Sequence, residues 1–310
     1  MQIVLVEPSR AVQRILAQLI EPGKHKVLAF DGGRKGLDCI ASEHCVRALI
    51  TSAELADMSG IELCAAARSL SSNRRPLYII LMSSLDDHNL VVRALDSGAD
   101  DFIRKPPDAQ ELRARLRVAD RVTSMQDELI KSATTDYLTG LLNRRAFFEQ
   151  ATKLCERAET GNSLSVIIFD IDHFKQINDN YGHNVGDVVL ANIASQARSE
   201  GNLVARLGGE EFCVLTECDL LDALDIAEDI RRDINALRFE EKGSFGVTCS
   251  FGISEWESGD TIDRLLRRAD VALYEAKTTG RDRIVAADSF RLTAGHEAWR
   301  GVARAGRRPR

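Results

Sequence analysis

The sequence predicts an α/β protein with two domains, and three observations support this fold class. The chain has 310 residues, which is enough for two domains that each bury a core without disulfide bonds. Its first half alternates apolar, strand-like runs with amphipathic segments, the pattern of a parallel sheet covered by helices. Its second half contains an apolar run that ends in an acidic residue and, further on, a glycine-rich hairpin between two short apolar runs.

The strand-like runs and helical segments of the first half follow one another in a regular order. The run Ile3–Val6 opens the series, and a short strand within Gly98–Pro106 closes it. Between them lie two further strand runs and two amphipathic segments: Val46–Ser52, Leu77–Met82, Val12–Ile20 and Ile61–Leu70. Strands that alternate with helices in this way predict βαβ units and parallel strand pairing.

Residues 1 to about 120 resemble the receiver domain of bacterial response regulators. The most specific match is the segment Gly98-Ala99-Asp100-Asp101-Phe102-Ile103-Arg104-Lys105-Pro106. The resemblance implies a (βα)5 domain with a five-stranded parallel sheet, and a cis peptide bond between Lys105 and Pro106. We therefore expect a receiver-like domain over residues 1–120.

The phosphoryl-accepting residue of receiver domains is replaced in this chain. Receivers carry that aspartate at the end of the third strand, eight residues before a glycine, and counting back from Gly60 reaches Ser52. A neutral hydroxyl without an adjacent base is a weak nucleophile. The acid pair that follows the first strand in receivers is here Glu7-Pro8, so one metal-binding carboxylate is missing as well. We expect no phosphotransfer at Ser52, and a domain that dimerises or binds an unidentified protein partner.

A helix is predicted to connect the two domains. Residues 108 to 132 contain neither Gly nor Pro, and four apolar residues and a serine recur there at alternating spacings of four and three residues. The positions with that spacing are Val118, Val122, Met125, Leu129 and Ser132. Beyond Arg121 this stripe has no obvious partner in its own domain, which favours a short parallel coiled coil over the connector, residues 121–135. For Leu112 and Leu116, packing on the receiver-like domain is equally open.

The second half places acidic residues at the end of a strand and at a hairpin. The run Ser165–Phe169 leads directly into Asp170, which is how many phosphoryl-transfer sites present a metal ligand. The Gly208-Gly209 pair tolerates the positive φ of a tight turn, so Glu210 and Glu211 lie at the hairpin tip. Carboxylates beside glycines suit a divalent cation held against a phosphate, although a solvated polar turn explains this short segment equally well.

Several spaced motifs of the second half together resemble the GGDEF domain of diguanylate cyclases, over residues 136–288. They are Asp136–Arg145, Asp170–Asp172, Asn178–His183, Asp187, Gly208–Phe212, Ala269–Lys277 and Gly280–Arg283. The resemblance implies an α+β domain with a central antiparallel sheet, similar to polymerase and class III nucleotide cyclase palms. It also implies an enzyme that condenses two GTP molecules into cyclic di-GMP and two pyrophosphates. Because one domain holds one GTP, the resemblance implies a homodimer.

The resemblance further implies a metal ion and the residues that hold it. Mg²⁺, or Mn²⁺ in its place, prefers a few hard oxygen ligands, with water and phosphate completing its shell. The matching positions are Asp170, the carbonyl of Ile171, and Glu210. Glu211 matches a second acidic position, and three roles are open for it: binding the metal, accepting the 3′-hydroxyl proton, or holding the hairpin. Glu210 and Glu211 are the candidate catalytic residues.

Five further side chains match the GTP-binding positions of the family. They are Lys175, Asn178, Asp187, Lys277 and Arg281. Lys277 and Arg281 would contact the β- and γ-phosphates, with Lys175 as an added donor, because charge-assisted hydrogen bonds bind phosphate strongly. The amide of Asn178 and the carboxylate of Asp187 could pair together with the guanine edge, which adenine does not reproduce.

The inhibitory product site of many such cyclases is missing. That site is an Arg-x-x-Asp motif placed five residues before the Gly-Gly pair, and Ser199 and Asn202 occupy its two charged positions here. Arg198 is one residue out of register. Without the guanidinium and the carboxylate, we expect weak or absent feedback inhibition by the product through this site.

Alternatives exist both for the function and for some matched residues. A catalytically silent GTP-binding scaffold is the alternative function, although a scaffold has no need of the complete set of metal and phosphate residues. Asp172, His183 and Arg206 also match family positions, but they fit a role as polar groups of turns and helix starts at least equally well.

Composition argues against several other classes of protein. A net charge of −6 disfavours general nucleic-acid binding, and the seven scattered cysteines indicate neither a disulfide framework nor a zinc site. No run approaches the roughly 20 apolar residues of a membrane helix. The first residues do not have the pattern of a secretory signal, so we expect no membrane span and a cytoplasmic location. Residues 289–310 are rich in Arg and are predicted to form a disordered basic tail.

Overall fold

The computed structural model describes residues 1–23, 25–71, 75–84, 88–240 and 243–287. The chain divides into two compact units, Met1–Lys131 and Ser132–Arg310, and the division falls within the predicted connector. The basic tail predicted for residues 289–310 lies outside the described residues. Over the ranges described, no helix combines the length and the apolar composition that crossing a membrane requires.

The first unit contains a five-stranded, fully parallel sheet with the strand order β2-β1-β3-β4-β5. The strands are β1 Gln2–Val6, β2 Lys26–Phe30, β3 Val46–Ser52, β4 Tyr78–Ser83 and β5 Asp101–Arg104. The helices are α1 Arg10–Ile20, α2 Gly33–Ser42, α3 Gly60–Leu70, α4 His88–Asp96 and α5 Ala109–Thr134, with a short 3₁₀ helix at Glu21–Gly23. This confirms the predicted receiver-like fold, and the Lys105–Pro106 peptide bond is cis as expected.

Both faces of this sheet are covered, because side chains of its buried strands alternate between two apolar cores. Leu5 of β1 belongs to one core and Val6 to the other. Helix α3 approaches β3 closely at Gly60, where an added Cβ atom would lie 2.1 Å from the carbonyl oxygen of Ser52. Glycine is therefore required at position 60 for a steric reason, since no side chain fits between this helix and the end of β3.

Helix α5 is continuous, as predicted, but its apolar stripe lies in two environments. Val118 and Val122 pack against the core of the first unit. The expectation that the stripe has no partner in its own domain beyond Arg121 is therefore wrong for Val122, because the helix keeps its contact with this core one residue past Arg121. Met125 and Leu129 follow at the same spacing and are 58% and 69% exposed.

The second unit is built on a six-stranded sheet with the strand order β13-β12-β7-β9-β8-β6. Its strands are β6 Leu142–Asn143, β7 Ser165–Ile171, β8 Leu203–Gly208, β9 Glu211–Thr216, β12 Cys249–Glu255 and β13 Ile284–Ala286, and a separate hairpin is formed by β10 Phe239–Glu240 and β11 Ser244–Phe245. The helices are α6 Arg144–Glu159, α7 Phe174–Tyr181, α8 His183–Ala197, α9 Leu220–Ala236 and α10 Ile262–Thr278. The central strands are antiparallel, as predicted, whereas the edge strands β6 and β13 pair in parallel.

Stacked aromatic rings support the middle of this sheet. Phe169 of β7 stacks on Phe212 of β9 with ring centroids 5.2 Å apart, and on Phe251 of β12 at 4.9 Å. All three rings are fully buried. Phe169 immediately precedes Asp170 and Phe212 immediately follows Glu211. The strands that carry the predicted acids are therefore fixed to each other by a large buried contact.

Candidate active site

The acidic residues of the second unit converge at one end of its sheet. Asp170 lies directly opposite Glu211 in the antiparallel pair of β7 and β9. Residues opposite each other in a sheet place their side chains on the same face. The turn at Gly209, with a φ of 53°, brings Glu210 into the same electrostatic neighbourhood. The strand-end acid and the hairpin acids predicted from the sequence are thus close together.

Asp170 lies in a largely buried environment rich in negative charge. Its residue surface is 6% exposed, and Nζ of Lys277 on α10 lies 3.0 Å from its Oδ2. Burial raises the pKa of Asp170 to about 6, because removal from water disfavours the charged form; the Lys277 contact opposes this shift, and the charges of Glu210 and Glu211 add to it. The cluster therefore favours a cation next to Asp170.

The oxygen donors at this end of the sheet fit a hard divalent cation. In the described part of the chain, no three His, Cys, Asp or Glu side chains form a preassembled metal site. Mg²⁺ does not require one, because it is usually held by one or two carboxylates together with water and substrate phosphates. Asp170 and Glu210 offer such carboxylates. Ile171 has an aliphatic, buried side chain, so only its backbone carbonyl oxygen could be a metal ligand. The donor set suits Mg²⁺ or Mn²⁺.

Arg206 holds the hairpin tip in place. Its Nε and Nη2 donate to the carbonyl of Gly209 at 2.9 and 2.7 Å. Its Nη1 lies 3.1 Å from Oδ1 of Asp136, which also accepts hydrogen bonds from the backbone amide and the hydroxyl of Thr139. Of the roles left open for Arg206, these contacts support a structural one: the acidic hairpin is tied to the turn that begins the second unit.

Asn178 and Asp187 lie on the two helices that adjoin at Gly182. Asn178 is on α7 and Asp187 is on α8. Gly186 lies against the Asn178 amide so closely that an added Cβ atom would be 2.0 Å from Oδ1. Because Gly186 has no side chain, the Asn178 amide can approach the backbone of α8 next to Asp187. The sequence pattern alone does not indicate a role for Gly186.

Asp172 is a buried hydrogen-bond acceptor. The hydroxyls of Thr248 and Ser250 donate to its carboxylate at 2.6 and 2.7 Å, and the backbone amide of Asp282 donates at 3.1 Å. Asp172 therefore connects the end of β7 to β12 and to the turn after α10. These contacts support a structural role for Asp172 and leave Asp170 as the acid that faces the hairpin.

Three further predicted residues are exposed. Lys175 lies in the first turn of α7, His183 is the first residue of α8, and Arg281 follows the end of α10. Within the described ranges, no hydrogen bond or ion pair involves the side chains of Lys175 and Arg281. Both cations are therefore accessible to an anionic ligand.

The region of the missing inhibitory motif forms the connection between α8 and β8. Ser199 and Asn202 lie in this connection, and Gly201 between them has a φ of 89°. The guanidinium of Arg198 points elsewhere, with Nη2 donating to the carbonyl of Thr139 at 3.0 Å. Arg198 is thus held by its own domain, one residue out of the motif register.

In the first unit, a lysine lies where a receiver would react with phosphate. Nζ of Lys105 lies 2.6 Å from Oγ of Ser52 and 2.5 Å from Oε2 of Glu7. Ser52 and Glu7 are both buried. Asp57, in the loop beyond the strand end, accepts a hydrogen bond from the backbone amide of Gly33 at the start of α2. Lys105 and Glu7 are therefore already paired with each other, and the Asp57 carboxylate is bound by a backbone amide.

Family models match both units. The model described as diguanylate cyclase, GGDEF domain, matches residues 133–283, and the response regulator receiver domain model matches residues 3–117. The chain therefore contains a response regulator receiver domain followed by a GGDEF domain.

Two curated proteins align with large parts of the chain. Response regulator PleD of Caulobacter vibrioides is 35% identical over 306 residues, which is 91% of this chain and 65% of PleD. Diguanylate cyclase DgcP of Pseudomonas aeruginosa is 40% identical over 192 residues, which is 56% of this chain and 29% of DgcP. The chain thus spans less than two thirds of either relative's length.

A solved structure also aligns with part of the chain. It contains the coiled coil and GGDEF domain of DgcB from Caulobacter crescentus in complex with c-di-GMP. Its TM-score is 0.53 at 31% sequence identity, and the alignment covers 58% of this chain and 100% of that chain. The fold of the second unit is therefore that of a GGDEF domain.

Proposed function

We propose that the chain is a diguanylate cyclase that condenses two GTP molecules into cyclic di-GMP and two pyrophosphates. The observation that carries this proposal is the pairing of Asp170 with Glu211 across the sheet, with Lys277 at the same carboxylate. Relatives named diguanylate cyclase support it. In each of two equivalent steps, a 3′-oxygen attacks the α-phosphorus of the other GTP, the bond from that phosphorus to the bridging oxygen breaks, and pyrophosphate leaves.

Asp170, Glu210 and the Ile171 carbonyl are the proposed holders of Mg²⁺ or Mn²⁺. When bound, the cation supplies charge neutralisation on the triphosphate. Lys277 and Arg281 are proposed to bind the β- and γ-phosphates. For Lys277, the 3.0 Å contact of its Nζ with Asp170 supports this role.

Lys175, Asn178 and Asp187 are proposed to complete the GTP site. The accessibility of Lys175 on α7 supports a contact with phosphate. Asn178 and Asp187 are proposed to read guanine through its hydrogen-bonding edge, so ATP would leave their polar groups unpaired. The contact of the Asn178 amide with Gly186, next to Asp187, supports a joint site.

Glu211 is the proposed acceptor of the 3′-hydroxyl proton, while Glu210 serves the metal. Glu211 lies opposite Asp170 and is exposed at the start of β9, and this position supports a role at the reacting groups. Because it also begins β9, its substitution needs a check of folding. A base within hydrogen-bond reach of the hydroxyl would accept its proton as the new phosphodiester bond forms.

A homodimer is part of the proposed mechanism, because each GGDEF domain would hold one GTP and the two must face each other. The exposed Met125 and Leu129 on α5 support a short coiled-coil contact between two copies. Replacing both by Glu should shift the mass measured by light scattering toward the monomer and reduce product formation. A dimer of unchanged stability would place the contact elsewhere.

The receiver domain is proposed to act without phosphorylation. The hydrogen bond from Lys105 to Ser52, and its ion pair with Glu7, support this because the residue in the acceptor position is a neutral, buried hydroxyl. Its remaining roles would be dimerisation or contact with a protein partner.

Incubation of the purified protein with GTP and Mg²⁺, followed by chromatography of the nucleotides, tests the proposed reaction. We expect one cyclic di-GMP for every two pyrophosphates. Asp170→Asn and Glu210→Gln should each lower the rate at least about 100-fold, since each removes a charge from the metal site. Folded protein that binds GTP but forms no product at micromolar concentration would favour the silent scaffold instead.

A further inference from the structure

The chain leaves α10 through an unusual turn. Gly280, Arg281 and Asp282 have φ values of 127°, 55° and 44°. Glycine adopts positive φ readily, but residues with a Cβ atom adopt it at a cost in free energy. Two such residues in succession persist only where the surrounding structure holds them. Contacts from the surrounding structure must therefore hold the backbone at Arg281 and Asp282.

Helix α9 holds the turn through the side chain of Asp282. Nη1 of Arg231 and Nδ2 of Asn235 donate to Oδ1 of Asp282 at 2.8 and 2.9 Å. Arg231 is itself oriented by Glu228: its Nε donates to Oε2 and its Nη2 donates to Oε1, each at 2.9 Å. Such a two-point contact fixes the plane of the guanidinium. Asp282 is thus bound by donors whose own positions are fixed.

The end of β7 holds the same residue through its backbone. The amide of Asp282 donates to Oδ2 of Asp172 at 3.1 Å, and Asp172 is fixed in turn by the hydroxyls of Thr248 and Ser250. One residue earlier, the amide of Arg281 donates to the carbonyl of Ala276 at 3.0 Å. The backbone on both sides of the Arg281 side chain is therefore constrained.

The turn presents the guanidinium of Arg281. This side chain is exposed, and within the described ranges it makes no hydrogen bond or ion pair. Lys277, one helical turn earlier on α10, contacts Asp170 of the acidic cluster. An unpaired cation on a fixed backbone near a second cation suits an anionic ligand, because little freedom remains to be lost on binding.

We propose that Asp282, held by Arg231 and Asn235 of α9, is a positioning residue that fixes the backbone of Arg281 for contact with the triphosphate of GTP. The proposal rests on the proposed function, since it concerns the substrate of that site. Asp282 itself does not touch the nucleotide in this account, and its whole effect on binding passes through Arg281. A purely structural Asp282 would instead join α9 to the turn with no effect specific to the phosphates.

A double-mutant cycle on binding tests this. Asp282→Ala, Arg281→Ala and the double variant are compared for affinity to a non-hydrolysable GTP analogue in the presence of Mg²⁺, and to GMP. Each single substitution should weaken binding of the triphosphate about 10-fold, as expected for a charge-assisted contact. The double variant should be within about twofold of Arg281→Ala, because the two residues act as one unit. GMP affinity should change less than about twofold.

Two further variants serve as rescue and control. Asp282→Asn keeps an acceptor for Arg231 and Asn235 and tolerates positive φ, so its triphosphate affinity should return to within about threefold of wild type. Asp229 and Arg232 form an exposed ion pair on the same helix, and Asp229→Ala should leave triphosphate affinity unchanged.

The outcomes separate this proposal from the proposed function. If Asp282→Ala does not fold, Arg231→Gln replaces it and should weaken triphosphate binding about threefold with GMP binding retained. Folded variants with triphosphate affinity within twofold of wild type, or losses that multiply in the double variant, would overturn the proposal. A wild-type protein that binds the GTP analogue as expected and shows the cycle, but forms no cyclic di-GMP, would contradict the cyclase alone; failure to bind it would contradict both.

Discussion

Arg206 joins the acidic hairpin to Asp136, with 3.1 Å between Nη1 and Oδ1, while its other nitrogens donate to the carbonyl of Gly209. Both side chains are mostly buried, at 13% and 19% exposure. An ion pair of this kind is weak evidence for stability, but breaking it leaves one charge without a partner. Its position at the hairpin tip makes it relevant to the geometry of Glu210.

Arg206→Ala should therefore impair both the fold and the reaction. We expect cyclic di-GMP formation to fall about 10-fold or more, because the hairpin loses two hydrogen bonds at Gly209, and Tm to fall by about 3 °C or more. Arg145→Ala is the matched control, since Arg145 pairs with Glu149 on the surface and should change neither value measurably. Wild-type turnover in a folded Arg206→Ala variant would show that the hairpin needs no such support.

The same pair predicts a dependence of stability on pH. Although partial burial raises it, the hydrogen bonds from Thr139 and Arg206 lower the pKa of Asp136 below its usual value. A carboxyl with a lowered folded-state pKa stabilises the fold above its unfolded pKa of about 3.9, and this contribution is lost as the pH falls through the folded-state value.

Thermal unfolding from pH 7 down to about pH 3 measures this effect. Asp136→Asn keeps an acceptor for Thr139 but cannot ionise, so its Tm should be about 3 °C below wild type at pH 7, with the difference shrinking below about pH 4. A constant difference over the whole range would mean that the charge of Asp136 contributes nothing.

Gly186→Ala should disturb the proposed guanine contact. A methyl group there would lie 2.0 Å from Oδ1 of Asn178, so the amide must move. We expect the affinity for a non-hydrolysable GTP analogue to fall about 10-fold, and adding Asn178→Ala to this variant should cost little more. Val188→Ala, on the exposed face of the same helix, is the control. Unchanged affinity of the Gly186→Ala variant for the GTP analogue would contradict the proposed contact of Asn178 with guanine.

Product inhibition should be weak in the wild-type protein and should appear after two substitutions. Ser199 and Asn202 occupy the register in which the family carries an arginine and an aspartate. Initial rates should be unaffected by micromolar cyclic di-GMP, whereas Ser199→Arg with Asn202→Asp should introduce inhibition. Submicromolar binding of cyclic di-GMP by the wild-type domain would contradict this prediction, provided that competition with GTP is excluded.

Acetyl phosphate with Mg²⁺ should not modify the receiver domain. The hydroxyl of Ser52 accepts a hydrogen bond from Lys105, and among the described residues no carboxylate or imidazole accepts a hydrogen bond from it. We expect no phosphoryl adduct on the intact protein by mass spectrometry. Ser52→Asp combined with Pro8→Asp restores both missing carboxylates, and a receiver domain that is known to be phosphorylated is the positive control of the reaction. A wild-type adduct mapped to residue 52 would refute the proposal that the domain acts without phosphorylation.

Much of the fold was predictable because its strands are long and apolar. The run that became β7 is buried throughout and the run that became β3 is buried at every position except Arg47, and their composition alone indicates strands. β6 and β13 were not predicted, because strands of two and three residues carry too little pattern to identify. The partner of Val122 was missed for another reason: a helical stripe with this spacing is equally compatible with a coiled coil and with packing on the helix's own domain.

In the candidate site, too, some residues were predictable from the sequence and some contacts were not. Asp170 and the hairpin acids were predictable because each follows a recognisable strand. The contacts of Arg231 with Asp282 and of Gly186 with Asn178 were not, since they depend on which helices adjoin in three dimensions. Only the Asp136 turn left a usable signal, as an aspartate three residues before a threonine is typical of a side-chain-capped turn.

The contact of Lys105 with Ser52 and Glu7 bears on how a cell could set the output of this protein. If, as proposed, the receiver takes no phosphoryl group and the product site is absent, the output would follow neither the activity of a histidine kinase nor the accumulation of product. The amount of protein synthesised would then be one remaining control, beside any protein partner of the receiver domain. Because two chains must associate for each reaction, product formation at low concentration would rise with roughly the square of protein abundance, so a modest change in expression would have a large effect.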